Sequence, residues 1–432
     1  MTFTAMNWNL DGADADTSRD AFNTMTTQLW TPEQVSLADD AQDIHRLSCS
    51  ERTALSRIFA GLSVVESLQA SNATKALSSD AERDNAGISQ AVLTAIAFAE
   101  SMHTKAYSAL IAALGSDEAN DTRNADTNLS ANSTDSNTSA NIDKANESAQ
   151  SPFAWAQQNE SMQEKLRLLN DVYAAVFNVS GITVSDAANQ SGQNADTSTN
   201  LSSITSPTEI AASNASNSDS ETSSFPDLGA LKRLVAAVLA QALLVESGFY
   251  LPMWLSSRGT MTKSADIIRL INRDIVTSSS YLGSVYQQKL EQLDDETRET
   301  MRQYVYDLAN NLYFAEEDYN YTLPYANLGL DDDIEKFLSY NANKALSYLG
   351  YPALFPTEIS QPNPAVIDEL NDMESLASAL KPASLFGGSG INFTSANSAS
   401  ATAGTSASSP ATSTGATAAN KAEETSDDDW DF

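Results

Sequence analysis

The chain has 432 residues with 24 Lys or Arg and 57 Asp or Glu, which gives a formal net charge of −33. This charge argues against binding to nucleic acid, which needs a basic face that displaces counterions from phosphate, and against docking on an anionic membrane surface. The single cysteine, Cys49, excludes an internal disulfide and a cysteine-based zinc site.

The N-terminus, MTFTAMNWNLDGADADTS, has neither the charged region nor the apolar region of a signal peptide. No apolar run approaches the ~18 to 20 residues that span a bilayer. We therefore expect a cytoplasmic protein that neither crosses nor binds a membrane.

Hydrophobic spacing predicts a chain of long helices. Residues 40–50 are expected to form a polar connection, and the apolar positions of residues 51–70 then recur at helical spacing. Further helices are predicted at residues 87–114, 152–178, 226–256, 262–291, 293–322 and 331–349. Pro252 is expected to interrupt one helix and Pro324 to end another. Strand alternation is nearly absent, so the predicted fold class is all-α.

Three stretches of different composition interrupt this pattern. Residues 116–150, 181–224 and 394–426 consist almost entirely of Ser, Asn, Thr, Asp and Ala. They carry too little apolar surface to offset the entropy of ordering them. We predict one helical domain at 1–393 with disordered insertions at about 116–150 and 181–224, followed by a flexible tail at 394–432.

One helical segment carries residues suited to metal chemistry. Glu100 and His103 lie three positions apart on one predicted helix face, and Tyr107 follows on the same face. Glu66 lies on another predicted helix among apolar neighbours. A carboxylate on one helix with Glu-x-x-His on the next forms half of the dinuclear site of ferritin-like bundles. Spacing alone leaves open that Glu100 and His103 are an ordinary solvated pair.

Longer motifs decide the family. The segments AVLTAIAFAESMHTKAYSAL, SGFYLPMWLSSRGTMTKSADIIRLINRD, SYNANKALSYLGYPALFP and the terminal DDDWDF closely resemble the small (β) subunit of class Ib ribonucleotide reductase. The resemblance runs from about Asn7 to Phe393 and resumes at the last residues. Only the polar insertions fall outside it.

This resemblance implies a ferritin-like homodimer whose dimanganese or diiron centre oxidises a tyrosine to a stable radical. The radical passes to a cysteine of the large (α) subunit, which reduces ribonucleoside diphosphates to deoxyribonucleotides. A flavodoxin-like protein supplies the oxidant for the manganese form, and the C-terminal peptide of β docks on α. In this chain that peptide corresponds to Asp427, Asp428, Asp429, Trp430, Asp431 and Phe432.

Carried over residue by residue, the resemblance assigns the first three metal ligands to Glu66, Glu100 and His103, and the radical to Tyr107. The other three ligand positions hold Gln241, Ile275 and Ser278. Glu246 is not expected to replace Gln241, because five residues of α-helix turn it about 140° away. We therefore expect at most one Mn or Fe ion, or none.

The predicted radical relay departs from the family as well. The relay tryptophan aligns with Ile44, the tail tyrosine aligns with Phe393, and Asp274, the relay partner, is retained. Isoleucine has no accessible one-electron oxidation, and phenylalanine has no proton to release.

Three interpretations follow. The first is a degenerate, non-catalytic subunit that docks on α or pairs with an intact β in a heterodimer. The second is an active subunit with an altered or metal-free radical on Tyr107. The third is a one-metal oxidase or storage-like bundle, against which the retained docking peptide argues.

Overall fold

The structure is a computed structural model, and it describes residues 6–9, 11–83, 87–115, 151–174 and 228–373. All regular structure in these ranges is helical, which confirms the predicted all-α class. The helices are α1 (Ala13–Thr27), α2 (Ala41–Arg46), α3 (Cys49–Leu68), α4 (Thr74–Arg83), α5 (Gly87–Gly115), α6 (Pro152–Gln158), α7 (Glu160–Ala174), α8 (Leu228–Leu239), α9 (Tyr250–Ser256), α10 (Thr262–Glu291), α11 (Asp295–Tyr321), α12 (Asp331–Tyr348) and α13 (Pro364–Asn371). The predicted insertions and tail, 116–150, 181–224 and 394–432, lie outside the described residues.

Several helix boundaries agree closely with the sequence prediction. Helix α10 coincides with predicted residues 262–291, and α12 falls one residue short of the predicted 331–349. Helix α3 begins at Cys49 because Ser48 caps it: the Ser48 hydroxyl accepts from the Glu51 amide at 3.2 Å, and the Glu51 carboxylate accepts from the Ser48 amide at 2.7 Å. This reciprocal pair satisfies two backbone donors of the first turn. The Cys49 side chain is exposed there.

Three local predictions were wrong. The expected polar connection at 40–50 contains helix α2, which buries Ile44. The predicted helix at 152–178 divides at Asn159 into α6 and α7. Pro252 interrupts no helix: it is the third residue of α9, where a missing amide costs nothing, and the chain breaks earlier, at a turn of Gly248 and Phe249.

Two π-helical segments interrupt the α-helical backbone. Gln69–Ala73 follows α3 directly, and Ala240–Val245 follows α8. In the second, the backbone amide of Glu246 donates to the carbonyl oxygen of Gln241, five residues earlier. Single π turns of this kind are frequent at functional sites.

The core lies between two layers of long helices. Helix α3 packs along α5, while α8 and its π segment pack against α10. Buried Leu, Ile, Val, Phe and Ala side chains fill the space between them. This packing brings the middle of α5 towards both α3 and α10, and the candidate site forms there.

The segment Leu228–Ser256 is apolar enough to cross a membrane by length and composition, with a mean hydropathy of 1.8. The expectation that no segment approaches this limit was therefore too strict. In the structure, 83% of that window is buried inside the protein. Its apolar side chains therefore form part of the core of the bundle.

Helices α10 and α12 approach too closely for a side chain at Gly283. A Cβ atom there would lie 2.2 Å from the carbonyl oxygen of Tyr348. We expect Gly283→Ala to lower the free energy of unfolding by about 1–3 kcal/mol, because the backbone of α12 must shift. Urea denaturation measures this change. Gly115→Ala is the matched control, since no atom lies within 4 Å of its added Cβ; an equal loss in both variants would contradict the explanation.

Candidate functional site

The packing of α3 on α5 joins Glu66 to His103. The two side chains are buried, with 0% and 2% of their surface exposed. The Nδ1 atom of His103 lies 3.1 Å from Oε1 of Glu66. Two of the residues that the sequence assigned to one site are therefore in direct contact.

The second nitrogen of His103 faces α10. Nε2 lies 3.4 Å from Oδ2 of Asp274, and the same oxygen accepts the indole N–H of Trp30 at 2.7 Å. The rings of Trp30 and His103 are nearly parallel, with centroids 6.4 Å apart. A continuous polar chain therefore runs from Glu66 through His103 and Asp274 to Trp30.

The hydrogen bond from Trp30 to Asp274 corrects the prediction that Asp274 is retained without a tryptophan partner. The alignment placed Ile44 at that position, but Ile44 lies in α2 within the apolar core. Trp30 lies fourteen positions earlier in the segment QLWTPEQV, next to the short turn Pro32–Gln34. The sequence did contain a signal for this residue. Trp30 lies two positions before Pro32, which begins a short turn between α1 and α2.

A second polar chain occupies the other side of Glu100. The amide Nε2 of Gln241 donates to Oε1 of Glu100 at 2.7 Å, and the hydroxyl of Ser278 donates to Oε1 of Gln241 at 2.5 Å. All three side chains are buried. The three positions to which the resemblance assigned the remaining metal ligands thus hold a hydrogen-bonded pair, Gln241 and Ser278, and an apolar residue, Ile275.

Glu246 is engaged elsewhere. Both of its carboxylate oxygens accept from Nζ of Lys344, at 2.9 and 2.7 Å. The expectation that it does not replace Gln241 agrees with this contact, but the reason given for it was wrong. The intervening backbone is π-helical, so the rotation of an α-helix does not apply.

Burial and neighbouring charges shift the pKa values of the site. Burial opposes a charge on His103, but the Glu66 carboxylate and hydrogen bonding to Asp274 outweigh it and raise the pKa of His103 to about 10. Burial, reinforced by the charge of Glu66, raises the pKa of Glu100 well above its ordinary value. These shifts favour the charged form of the His103 imidazole and the neutral form of the Glu100 carboxyl group.

Tyr107 lies on α5 and is completely buried, with its ring stacked on Phe59 at a centroid distance of 6.2 Å. Burial and then the charge of Glu66 raise the pKa of Tyr107 well above its ordinary value. Its hydroxyl has no hydrogen-bond partner among the described residues, and the same holds for Oε2 of Glu66 and of Glu100.

A cavity of about 30 Å³ opens beside these chains. Glu100, His103, Gln241 and Ser278 contribute to its polar wall. Leu29, Phe98 and Met102 contribute to its apolar wall. The cavity can hold about two water molecules next to polar partners.

These features define a class of protein. A helical bundle whose long helices carry a buried carboxylate and a Glu-x-x-His pair is a ferritin-like carboxylate bundle. Comparison with known proteins then identifies the family. The description of the matching family is "Ribonucleotide reductase, small chain", and the match covers residues 7–364.

Individual relatives agree with this match. The ribonucleoside-diphosphate reductase subunit beta of Mycobacterium leprae is 30% identical over 99% of this chain and 96% of its own length. The ribonucleoside-diphosphate reductase 2 subunit beta of Escherichia coli is 28% identical over 99% of this chain and 98% of its own length. The crystal structure of dimanganese(II)-NrdF from Streptococcus sanguinis has a TM-score of 0.61 and 25% identity, and the match covers 86% of this chain and 100% of that one.

The chain therefore belongs to the ribonucleotide reductase small chain family. Members of this family work with an α subunit, and the neighbour from S. sanguinis carries two manganese ions. An R2-like ligand-binding oxidase with an Mn/Fe cofactor shares the fold, with a TM-score of 0.52 and 12% identity.

Three of the six positions that the resemblance assigned to metal ligands hold Gln241, Ile275 and Ser278. Ile275 offers no lone pair, and the polar atoms of Gln241 and Ser278 bond to each other and to Glu100. Neutral amide and hydroxyl groups are weak ligands for Mn or Fe. Within the described ranges, no group of three or more His, Cys, Asp or Glu side chains is arranged to hold a metal ion.

The remaining predicted positions cannot be placed in the site. Phe393 and the predicted docking peptide, Asp427–Phe432, lie outside the described residues.

We expect Trp30→Phe to lower the free energy of unfolding by about 1–3 kcal/mol, because the partly buried Asp274 carboxylate loses a donor. Urea denaturation measures the loss. Trp8→Phe is the matched control, since Trp8 is 36% exposed and its contact with Phe22 is an aromatic ring contact. If Trp30→Phe lowers the free energy of unfolding no more than Trp8→Phe does, the hydrogen bond to Asp274 does not stabilise the fold.

Proposed function

We propose that this chain is a β-type subunit that does not generate a radical through a dinuclear metal centre and that acts by association. Its partners are the α subunit of a ribonucleotide reductase or an intact β subunit, with which it pairs. One observation carries this proposal. The amide of Gln241 faces Glu100 where a metal-ligating carboxylate is expected, next to the apolar Ile275.

Association with α rests on the C-terminal sequence. Trp430 and Phe432 are bulky anchors of the kind that fill apolar pockets, and the surrounding aspartates favour encounter and register. The polar segment at 394–426 would act as a tether that extends the reach of this peptide at modest entropic cost. The proposal places the complex in the cytoplasm and requires no flavodoxin-like activator.

A second candidate function is an active subunit that carries its radical on Tyr107. The hydrogen bond from Trp30 to Asp274 favours it, because it removes one of the two sequence objections to a relay. Tyr107 is also completely shielded from solvent, as a stable radical requires. The objection from Phe393 remains, since that residue cannot release a proton.

Deoxyribonucleotide formation tests the first proposal. We expect the purified chain, assayed with its cognate α subunit, metal and a flavodoxin-like activator, to give no turnover above background, because the second half of the centre has no metal ligands. An intact β subunit is the positive control. Turnover above background would overturn the proposal and support a radical route through Tyr107.

The same preparation must still bind α if the chain acts by association. Deletion of Asp427–Phe432 is expected to abolish binding, whereas deletion of 411–416 (ATSTGA) removes the same length of tether and should preserve it. Equal binding by both deletion variants would show that the C-terminal peptide is not the docking element.

Electron paramagnetic resonance tests the second candidate. If Tyr107 carries a radical, aerobically isolated protein should show an organic radical signal, and Tyr107→Phe should abolish it. The signal should persist in Tyr173→Phe, whose hydroxyl instead donates to Gln69 at 3.0 Å. Absence of the signal after full metal loading would exclude this candidate.

A further inference from the structure

The side chains of Ser278, Gln241 and Glu100 form a chain of two hydrogen bonds. The Ser278 hydroxyl donates to the amide oxygen of Gln241, and the amide N–H donates to a carboxylate oxygen of Glu100. The three side chains are between 2% and 5% exposed. Each of these three side chains therefore has a hydrogen-bond partner that the protein itself supplies, while Oε2 of Glu100 has none among the described residues.

We propose that this hydrogen-bond chain takes the structural place of the second metal ion. In a dinuclear site, cations hold the buried carboxylates of facing helices together. Here two residues connect Glu100 of α5 to the neighbouring helices. Gln241 lies on the π segment after α8, and Ser278 lies on α10. The folded core of this protein is then independent of metal.

Ordinary core repacking explains this arrangement less well. Of the three residues, only Ile275 is of the kind that repacking of a core produces, because an apolar side chain fills space without needing a hydrogen-bond partner. A buried glutamine and a buried serine are costly unless they are hydrogen-bonded. The Ser278 hydroxyl also lies 3.0 and 3.1 Å from the backbone carbonyl oxygens of Asp274 and Ile275, but its shortest contact, 2.5 Å, is with Gln241. That contact, and the contact of Gln241 with Glu100, point to a polar unit in which each side chain orients the next.

The backbone supports the same role. Gln241 lies in the π segment Ala240–Val245, whose i to i+5 hydrogen bond joins the carbonyl of Gln241 to the amide of Glu246. This backbone bond fixes the position of residue 241 on the segment that faces Glu100. This role in folding does not depend on whether the chain docks on an α subunit.

The competing arrangement is a cation held by Glu66, Glu100 and His103. Oε2 of Glu66 and Oε2 of Glu100 have no hydrogen-bond partner among the described residues, so a cation would find free acceptors there. Such a cation would make the stability of the fold depend on metal, which separates the two arrangements by experiment.

A thermal double-mutant cycle tests the coupling. Ser278→Ala and Gln241→Leu should each lower Tm by about 2–6 °C. Together they should lower Tm by no more than about 1 °C beyond Gln241→Leu alone, because the first loss already breaks the unit. Ser339→Ala is the matched control, since the buried Ser339 pairs with Tyr313 at 3.1 Å; combined with Gln241→Leu, its loss should add. Additivity for Ser278→Ala would overturn the proposal.

Metal dependence of the natural full-length chain provides a measurement that needs no variant to fold. We expect Tm in chelator to equal Tm with excess Mn²⁺ within about 1 °C, since no bound ion stabilises the folded state. Gln241→Glu/Ile275→Glu/Ser278→His restores the family ligands and serves as a positive control for metal uptake. A rise of several degrees in Tm when the natural chain takes up Mn²⁺ would overturn the proposal.

Discussion

Compensation of buried charge is the constraint on which the centre of this bundle depends. The packing of α3 on α5 removes Glu66, Glu100 and His103 from water, and an uncompensated charge in that environment is strongly unfavourable. Each group therefore has a dedicated neighbour. His103 lies between Glu66 and Asp274, while Gln241 donates to the remaining carboxylate, Glu100.

These pairings determine which helices must stay together. Asp274 and Ser278 both lie on α10, so the imidazole chain and the amide chain attach α5 to the same helix at neighbouring turns. The polar contacts constrain the register of these helices in addition to the apolar packing around them, because a donor and an acceptor must meet within about 3 Å.

Much of the fold was predictable from local patterns. The long helices have strong periodicity, and α10 was predicted to the residue. The break near Pro252 was misplaced because a proline in a first helical turn is compatible with the helix, while the actual interruption is the turn at Gly248 and Phe249 after a π segment. A π segment leaves no signature in hydrophobic spacing, so the sequence could not reveal it.

The site was predictable in its members and less so in its contacts. Glu66, Glu100 and His103 were assigned to one site by the resemblance of their segments to the family, because their spacing alone left an ordinary solvated pair open. Trp30 was missed because the alignment was anchored on a nearby segment that forms α2. The bond between Gln241 and Ser278 depends on side-chain rotamers and on the π backbone, which residue types alone do not encode.

The exposed Cys49 at the start of α3 gives the molecule a property of a different kind. It is the only cysteine of the chain, so a thiol reagent has one attachment point in each copy. A spin label there would produce one pairwise distance in a symmetric dimer and none in a complex with an unlabelled partner. The natural sequence therefore already contains the labelling site needed to distinguish self-association from pairing with another subunit.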